Sequence, residues 1–302
     1  MTNIAAILTC FNRKEKTLSS LTHLYSALQY YNHNADDILN ITVYLTDDAC
    51  TDGTADTIRS SFPDKEIHIS RSEGNLFWAR GMNHSWKEAA SSETEWDYFL
   101  LLNDDTDMTE DCLVKLFKTQ QYSMECNSKE AIVSGITAAK ENHNEITYGG
   151  SVFLNRFKAT LQQLQPSDNP QKCDLMNANI VLIPSYAFQK LGFFYPYQHG
   201  CADSDYAVMA NRAGIPVYVS AEICGYCDHD HWSRETARDE ILKMSLKQRK
   251  AYFRHPLHSN RDYLTMIRRI MPWRFPLVCI FRFMSLYFPR LYYRLTFNRA
   301  RQ

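Results

Sequence analysis

The chain has 302 residues, of which 45% are hydrophobic and 22% are charged, and its formal net charge is −1. This is ordinary globular composition, which excludes an intrinsically disordered protein and is enough for one large α/β domain or two smaller ones. No run of about 18–20 uncharged apolar residues is present, which excludes a clean transmembrane span.

Apolar runs and helical patterns alternate over about the first hundred residues. The pattern predicts strands over Ile4–Thr9, Ile41–Leu45, Ile67–Ile69 and Tyr98–Leu102. It predicts helices over Lys14–Tyr31, Thr54–Ser60 and Leu76–Ala90, with Thr54 as the N-cap of the second helix. Alternation of this kind predicts an α/β protein with a doubly wound, mostly parallel sheet.

The next part of the chain is less regular. Further strands are predicted over Ala131–Ile136, Asn179–Ile183 and Val217–Val219. A helix is predicted over Asp203–Ala213, where Gly214 and Pro216 stop it.

Three of the predicted strands end in polar residues, at Thr9–Arg13, at Asp47-Asp48 and at Asn103–Asp105. Because the carboxyl ends of parallel strands meet at one edge of the sheet, where ligands bind, we expect these residues to converge. Crowded carboxylates are costly without a positive partner, and Mg²⁺ or Mn²⁺ bridging to a phosphate is the obvious candidate. The plainer interpretation, in which an acid only caps a helix or a turn, is preferred for Asp52 and Asp107.

Phosphate recognition at this edge is expected to depend on a metal and on side chains. No Walker-type loop is present and no Gly-x-Gly-x-x-Gly follows the first strand, which disfavours ATPases and nicotinamide enzymes. Arg13 and Arg80 are candidates to face phosphate oxygens, because a planar guanidinium matches their geometry.

The three strand ends resemble glycosyltransferase family 2 in both order and spacing. Residues 46–54 are similar to the family pattern Asp-x-x-Ser-x-Asp-Gly-Thr, with Cys50 in place of Ser. Residues 103–105 are similar to its Asp-x-Asp-type metal motif, with Asn103 in place of the first acid. The resemblance covers roughly residues 4–232 and is strongest in the N-terminal half. It implies the GT-A fold and a nucleotide-sugar donor, with galactofuranosyl- and rhamnosyltransferases as similar members.

The resemblance also assigns roles to individual residues. Asp47 would bind the base or ribose of the donor, and Asp105 is the secure metal ligand. The segments around Gly74-Asn75 and Ala79–Asn83 are similar to a further family motif. The residues expected to bind the donor are Thr9, Phe11, Asn12, Arg13, Asp47, Asp48, Gly74, Asn75, Arg80, Asn83, Asn103 and Asp104.

The C-terminal half supplies the expected catalytic base. Residues 202–206 and Arg212-Ala213-Gly214 resemble the family's acidic motif, helix and turn, which implies that Asp203 is the base. Ala202 stands where the first acid of the motif belongs, and Asp205 is the alternative base. A role for Asp203 as a helix N-cap is compatible with either assignment.

A His-x-x-Trp element of galactofuranosyl-type members resembles residues 229–232 and implies that His229 completes the metal shell, with His231 as the alternate. Cys224 and Cys227 precede it, so a zinc site is an alternative. Four ligands within residues 224–231 are too compact for an unstrained tetrahedral site, and buried free thiols are the preferred interpretation.

The charge of the chain is distributed unevenly. Residues 243–302 carry 14 Lys and Arg against one Asp, whereas residues 1–242 carry 19 basic and 33 acidic residues. Apolar residues at helical spacing over Tyr263–Met271, followed by an aromatic run to Leu295, predict a basic amphipathic helical tail. We expect this tail to lie on a membrane surface rather than to bind nucleic acid. Packing of the tail on the catalytic domain is the alternative.

These features predict a catalytic domain over residues 1–242, with a donor-binding half at 1–115 and an acceptor and catalytic half at 116–242, and a tail over 243–302. Nine Cys without a preceding secretory signal predict a reducing cytoplasm. The tail adds an expected location on the cytoplasmic face of the inner membrane.

Together with the resemblance, the residues imply an inverting, metal-dependent transfer of a sugar from a nucleotide-diphosphate donor to a glycan or lipid-linked acceptor, in bacterial surface polysaccharide synthesis. The donor sugar stays open among rhamnose, galactofuranose, glucose and N-acetylhexosamine. One alternative is a sugar-nucleotide nucleotidyltransferase, although residues 10–13 lack its usual Gly-rich loop. The other is a non-catalytic module that binds membranes or nucleic acid.

Overall fold

A computed structural model describes residues 1–229 and 233–297 of the chain. The chain divides into two compact units. The first comprises Met1–Pro196 and Ala202–Asp228, and the second comprises Tyr197–Cys201 together with the described residues from His229 onward. The division therefore falls earlier in the chain than the predicted domain boundary at 242/243.

The first unit contains the strands and the first six helices. Its strands are β1 (Thr2–Cys10), β2 (Leu39–Asp47), β3 (Ile67–Arg71), β4 (Tyr98–Leu102), β5 (Asp107–Met108), β6 (Ile132–Ala138), β7 (Ile146–Tyr148), β8 (Gly150–Asn155), β9 (Thr160–Gln163), β10 (Gln171–Lys172), β11 (Leu175–Met176), β12 (Ile180–Pro184) and β13 (Val217–Tyr226). Its helices are α1 (Lys14–Asn34), α2 (Thr54–Ser61), α3 (Phe77–Ala90), α4 (Cys112–Asn127), α5 (Ser185–Leu191) and α6 (Ala202–Arg212).

One large mixed sheet organises this unit, with strands in the order β10-β13-β6-β12-β4-β1-β2-β3. The pairs β1/β2, β1/β4, β2/β3 and β6/β13 are parallel, which confirms the predicted α/β fold and mostly parallel sheet. Strand β12 runs antiparallel to both β4 and β6. A small antiparallel sheet, β11-β8-β9, lies apart from the large one.

The predicted strand Tyr98–Leu102 is confirmed at both ends, and all five of its residues are buried. One local prediction is wrong: Thr54 is the first residue of α2 and not its N-cap. Gly53 precedes the helix in a left-handed conformation (φ 79°), and the Asp52 carboxylate accepts the N–H of Thr54 at 3.1 Å. The same carboxylate accepts the N–H of Lys14 at 3.0 Å, so Asp52 caps two helices, as the plainer interpretation of this acid predicted.

Helix α3 packs closely against β1 because residue 81 is glycine. A β-carbon placed on Gly81 would lie 2.2 Å from Oγ1 and 2.9 Å from Cβ of Thr9. The Gly81 carbonyl also accepts the hydroxyl of Thr46 at 2.9 Å. This contact fixes the helix that carries Arg80 and Asn83 against the edge where β1 and β2 end.

We expect Gly81→Ala to destabilise the protein by about 1–3 kcal/mol, because the added methyl group overpacks a contact with little free space. Chemical denaturation measures the effect. Gly200→Ala is a matched control, since a β-carbon there meets no atom within 4 Å. Equal unfolding free energies for Gly81→Ala and the unchanged protein would contradict the close packing of α3.

The second unit is helical. It contains α7 (Arg234–Lys243), α8 (Leu246–Tyr252), α9 (Asn260–Ile270), α10 (Phe275–Tyr287) and α11 (Pro289–Phe297), with short 3₁₀ turns at Pro256–His258 and Pro272–Arg274. Helix α7 belongs here because it contacts α11. Helix α9 confirms the amphipathic helix predicted around Tyr263–Met271. Within residues 1–229 and 233–297, every helix falls short of the length or hydropathy that a membrane crossing requires.

Candidate active site

The polar residues that follow β1, β2 and β4 meet at one edge of the sheet. Cys10 lies opposite Asp47 in the β1/β2 register, Asp47 lies opposite Arg71 in the β2/β3 register, and β4 runs parallel beside β1. The side chain of Asn12 accepts the N–H of Thr51 at 2.7 Å and so links the loops after β1 and β2. Chain direction and register thus bring three distant segments of sequence into one site.

Two adjacent carboxylates after β4 share one guanidinium. Nη1 of Arg13 lies 2.6 Å from Oδ2 of Asp105 and 3.5 Å from Oδ1 of Asp104. Burial, and next the charge of Asp105, raise the pKa of Asp104 to about 7, although Arg13 opposes the shift. Oδ2 of Asp104 is buried and has no hydrogen-bond partner in the part of the chain that the structure describes. The pair therefore holds unused oxygen capacity of the kind that hard divalent cations accept.

Other side chains around the acid pair were not expected from the sequence. The thiol of Cys227 donates to Oδ1 of Asp105 at 3.6 Å. Nε1 of Trp78 donates to Oδ1 of Asn103 at 2.7 Å. The Asn103 amide oxygen is thus engaged by α3, and its predicted contact with the donor stays a prediction.

A cavity of about 310 Å³ opens beside Asp47, between the end of β3 and the start of α2. Asp47 is 1% exposed, and its Oδ1 accepts the N–H of Cys50 at 2.6 Å. Its Oδ2 lies 3.1 Å from Nη1 of Arg71, whose other terminal nitrogen donates to the carbonyl of Cys50 at 2.9 Å. The cavity wall therefore offers a carboxylate and an exposed guanidinium in fixed positions. The volume of the cavity and the polar residues that line it suit a small polar ring system.

Asp48 faces a different set of partners. It accepts the N–H groups of Leu76 and Phe77 at 3.0 and 3.2 Å, and the hydroxyl of Ser72 at 2.6 Å. This carboxylate therefore holds the loop between β3 and α3, in which Gly74 and Asn75 have φ values of 93° and 63°. The structure gives Asp48 a positioning role for this loop, and its predicted contact with a donor stays a prediction.

The remaining predicted donor residues differ in exposure. Phe11 is 58% exposed and Arg80 is exposed on α3. Thr9 is buried against Gly81. The side-chain amide of Asn83 donates to the carbonyl of Phe194 at 2.9 Å and accepts the N–H of Phe194 at 3.1 Å. Asn83 therefore fixes the segment before residue 196.

Asp203 lies in the first turn of α6, one residue after its start at Ala202. Its Oδ1 accepts the N–H of Ser204 at 2.7 Å and its Oδ2 that of Ala178 at 3.4 Å. Burial raises the pKa of Asp203 against the opposing effect of these N–H groups. Asp205 in the same turn is only 2% exposed. Of the two predicted bases, Asp203 is the more exposed, so an acceptor hydroxyl can reach it more easily. Its raised pKa also makes its carboxylate the stronger base.

The segment before β12 connects Asp203 to the acid pair. Asn179, which follows Ala178, accepts the N–H of Asn103 through its carbonyl at 3.0 Å. Its side-chain Nδ2 lies 3.5 Å from Sγ of Cys227. The first turn of α6 is thus held to the same edge of the sheet as Asp104 and Asp105.

The predicted ligand His229 belongs to the second unit, and its side chain is exposed. Its metal-binding role stays a prediction, and His231 lies outside the described residues. Cys224 and Cys227 are buried thiols, as the preferred interpretation expected. Across residues 1–229 and 233–297, no three His, Cys, Asp or Glu side chains are grouped as a metal site.

Three residues of this site were not predicted to lie in it: Arg71, Trp78 and Cys227. Arg71 had a usable signal, because it lies two residues after the predicted strand Ile67–Ile69, whose end meets the same edge as Asp47. Trp78 and Cys227 gave none, since their contacts depend on where α3 and the end of β13 lie in space.

Comparison with known proteins shows a matching family and solved structures of similar fold. The family model described as "Glycosyl transferase family 2" matches residues 5–178. The search of curated proteins gave no match. Mannosyltransferase PcManGT from Pyrobaculum calidifontis, in complex with GDP-Man and Mn²⁺, has a TM-score of 0.53 at 13% identity, covering 98% of this chain and 84% of that one. S. aureus TarS 1–349 with UDP-GlcNAc has a TM-score of 0.50 at 12% identity, covering 89% and 72%. In another structure of S. aureus TarS the match covers 89% of this chain but 43% of that one, with a TM-score of 0.48 at 13% identity.

Proposed function

The chain belongs to glycosyltransferase family 2, and on that premise we propose that it transfers a sugar, with inversion and with help from a divalent metal, from a nucleoside diphosphate to a glycan or lipid-linked acceptor. Family membership makes the protein a glycosyltransferase and sets aside the non-catalytic alternative. The structures of similar fold that hold UDP-GlcNAc and GDP-Man support a nucleotide-sugar donor. The donor sugar, the acceptor and the pathway are parts of the proposal.

One observation carries the proposal: three features lie along one edge of the sheet. They are the cavity beside Asp47, the acid pair Asp104 and Asp105, and the half-buried carboxylate of Asp203. The Asp47–Arg71 pair in the cavity wall suits the donor and acceptor groups of a base or ribose. Arg13 beside the acid pair suits the diphosphate. Asp203 suits the acceptor hydroxyl. Taken in this order, the residues match a nucleotide-sugar laid along the edge.

The chemistry of the acid pair fits Mg²⁺ or Mn²⁺. Both ions prefer oxygen ligands, and Oδ2 of Asp104 is a buried oxygen without a partner among the described residues. Asp105 and Asp104 would hold the ion, and the role of His229, which belongs to the second unit, stays a prediction from the sequence. When bound, such an ion neutralises the charge that grows on a departing diphosphate.

The transfer itself requires one base from the protein. Asp203, as a carboxylate, takes the proton of the acceptor hydroxyl while that oxygen attacks the anomeric carbon from the side opposite the diphosphate. A single displacement inverts the configuration at that carbon, and no second carboxylate has to act as a nucleophile. The raised pKa of Asp203 strengthens it as a base, provided that the pH is high enough to keep it ionised.

A donor screen tests the proposed reaction directly. We expect a panel of nucleotide sugars, incubated with Mg²⁺ or Mn²⁺, to release a nucleoside diphosphate from at least one donor, and EDTA to reduce the rate. Chromatography of the nucleotide products measures this. Pyrophosphate released from a nucleoside triphosphate and a sugar 1-phosphate, with no diphosphate released from any nucleotide sugar, would instead identify a nucleotidyltransferase and contradict the proposal.

Arg13 occupies the position from which it competes with a metal for Asp105. We expect Arg13→Gln to tighten Mn²⁺ binding in the absence of nucleotide several-fold, because the competing cation is gone. We expect the same change to weaken UDP or GDP binding at saturating Mn²⁺ by about tenfold, because the diphosphate loses a cation. Isothermal titration calorimetry measures both affinities.

Lys118→Gln is the control for this charge change, because it removes one positive charge from an exposed position on α4. It should leave both affinities close to those of the unchanged protein. A variant Arg13→Gln that binds Mn²⁺ alone no better than the unchanged protein would contradict the competition.

We further propose that the enzyme works at the cytoplasmic face of the inner membrane on surface-polysaccharide intermediates. The net positive charge of residues 243–302 and the amphipathic helix α9 support a membrane location. The free thiols of the described chain are compatible with a reducing compartment.

A further inference from the structure

One apolar side of helix α10 is exposed in the part of the chain that the structure describes. The side that packs against α8, α9 and α11 includes the buried residues Val278 and Ser285. The opposite side exposes Trp273, Leu277, Ile280, Phe283, Tyr287 and Phe288, which we call the α10 face. Ile280 and Phe283 are each 56% exposed. None of these six side chains is charged, which is unusual for a solvated helix surface.

Basic residues, which we call the basic border, lie on the helices that pack against α10, and Nζ of Lys250 on α8 lies 5.7 Å from the ring centre of Tyr287. On α11, the exposed pair Arg290 and Arg294 runs beside the exposed pair Leu291 and Leu295, each at a spacing of four residues. On α9, Arg261 and Arg268 are also exposed. The surface therefore combines an uncharged apolar centre with cationic side chains around it.

We infer that the α10 face and its basic border form a docking surface for an anionic lipid bilayer. Apolar side chains can enter the acyl boundary while arginines pair with lipid phosphates, and Trp and Tyr favour that interface. Helix α10 has 13 residues, against the roughly 20 that a span needs, so it lies in the plane of the membrane. RNA is the less favoured partner, because the aromatic side chains share the face with Leu277 and Ile280 and no charged side chain lies within the α10 face to neutralise phosphates. The inference names the surface through which the proposed enzyme meets a lipid-linked acceptor.

Flotation of the full chain with vesicles tests the inference. We expect binding to vesicles of phosphatidylcholine mixed with phosphatidylglycerol, weak binding to phosphatidylcholine alone, and loss of binding as salt is raised. Ile280→Ser with Phe283→Ser should reduce binding at least about tenfold, because two large apolar side chains no longer enter the lipid. Arg290→Gln with Arg294→Gln should reduce binding to the anionic vesicles roughly thirtyfold and leave the weak binding to neutral vesicles unchanged.

Leu154→Ser with Phe157→Ser is the matched control, since these side chains are 63% and 82% exposed but lie in the first unit. This control should float like the unchanged protein. Failure of the unchanged chain to bind anionic vesicles, or equal binding by Ile280→Ser with Phe283→Ser, would overturn the inference. Self-association that this pair abolishes, without vesicle binding, would assign the α10 face to a second copy of the chain and overturn it too.

Mn²⁺-dependent UDP and GDP affinity, measured on the same variants, separates this inference from the proposed function. If a variant loses vesicle binding but keeps its nucleotide affinity, the result bears only on the membrane-docking surface and not on the proposed reaction. A chain that floats with anionic vesicles but never transfers a sugar would contradict only the proposed reaction.

Discussion

Asp203→Asn is expected to lower turnover by about 10²–10⁴-fold while nucleoside diphosphate affinity stays within about twofold, because an amide cannot take the acceptor proton. Asn keeps the shape of the side chain and one oxygen to accept the N–H of Ser204. Steady-state rates together with calorimetric binding of UDP and GDP measure the two quantities. Near-normal turnover would refute Asp203 as the base.

The same variant should change the pH dependence of the reaction. Burial raises the pKa of Asp203 above its ordinary value of 3.8, so activity should fall on acidification at a higher pH than an exposed carboxylate would give. The folded state then holds this proton more tightly than the unfolded chain, and stability contributed by the protonated acid is lost as pH rises through the folded-state pKa. Asp203→Asn should therefore not destabilise the protein at neutral pH, which separates a catalytic loss from unfolding.

Asp205→Asn discriminates between the two predicted bases. Asp205 is almost fully buried, so its replacement is expected to affect stability more than the chemical step. If Asp205→Asn abolished turnover in a folded protein while Asp203→Asn did not, the assignment would be reversed.

Asp105→Ala is expected to abolish metal-dependent donor binding, with a loss of at least about 100-fold in UDP or GDP affinity measured with Mn²⁺. The reason is that Asp105 is the proposed metal ligand, and alanine removes both of its carboxylate oxygens. The same carboxylate contacts Arg13 and the thiol of Cys227. Calorimetry with and without Mn²⁺ measures the metal-dependent part.

Asp107→Asn is the control for Asp105→Ala, two residues further along the chain. The Asp107 carboxylate accepts the hydroxyl of Ser19 and pairs with Lys140, so it has a structural role, although these contacts are not the helix or turn cap that was predicted. Its replacement should change stability but leave Mn²⁺-dependent nucleotide affinity near its original value. If Asp105→Ala bound nucleotide as tightly as the unchanged protein does, both with and without Mn²⁺, Asp105 would not be a metal ligand.

Much of the fold was predictable because its strands are strongly patterned. Tyr98–Leu102 is a continuous apolar run between Asp97 and Asn103, so its ends and its burial follow from hydrophobicity alone. The convergence of the segments after β1, β2 and β4 followed from parallel pairing. The direction of β12 was not predictable, because the apolar pattern of Asn179–Ile183 is the same for parallel and antiparallel neighbours.

The roles of neighbouring acids were harder to separate. Asp47 and Asp48 are adjacent in sequence, yet one pairs with Arg71 beside the cavity and the other holds the loop around Leu76. Residue type alone does not distinguish them, since the outcome depends on which way each side chain leaves the end of β2. Arg13 is a similar case: its pairing with Asp105 requires the first turn of α1 to face the end of β4, and no local pattern encodes that.

The most direct test is a crystal structure of the full chain with a nucleoside diphosphate and Mn²⁺. The expected result is an anomalous peak for manganese at the Asp105 carboxylate, with the base in the cavity beside Asp47 and Arg71 and with Asp203 facing the open side of the diphosphate. Nucleotide bound on a surface remote from these three acids, with no metal at Asp105, would mean that the edge of the sheet is not where this chain handles its donor.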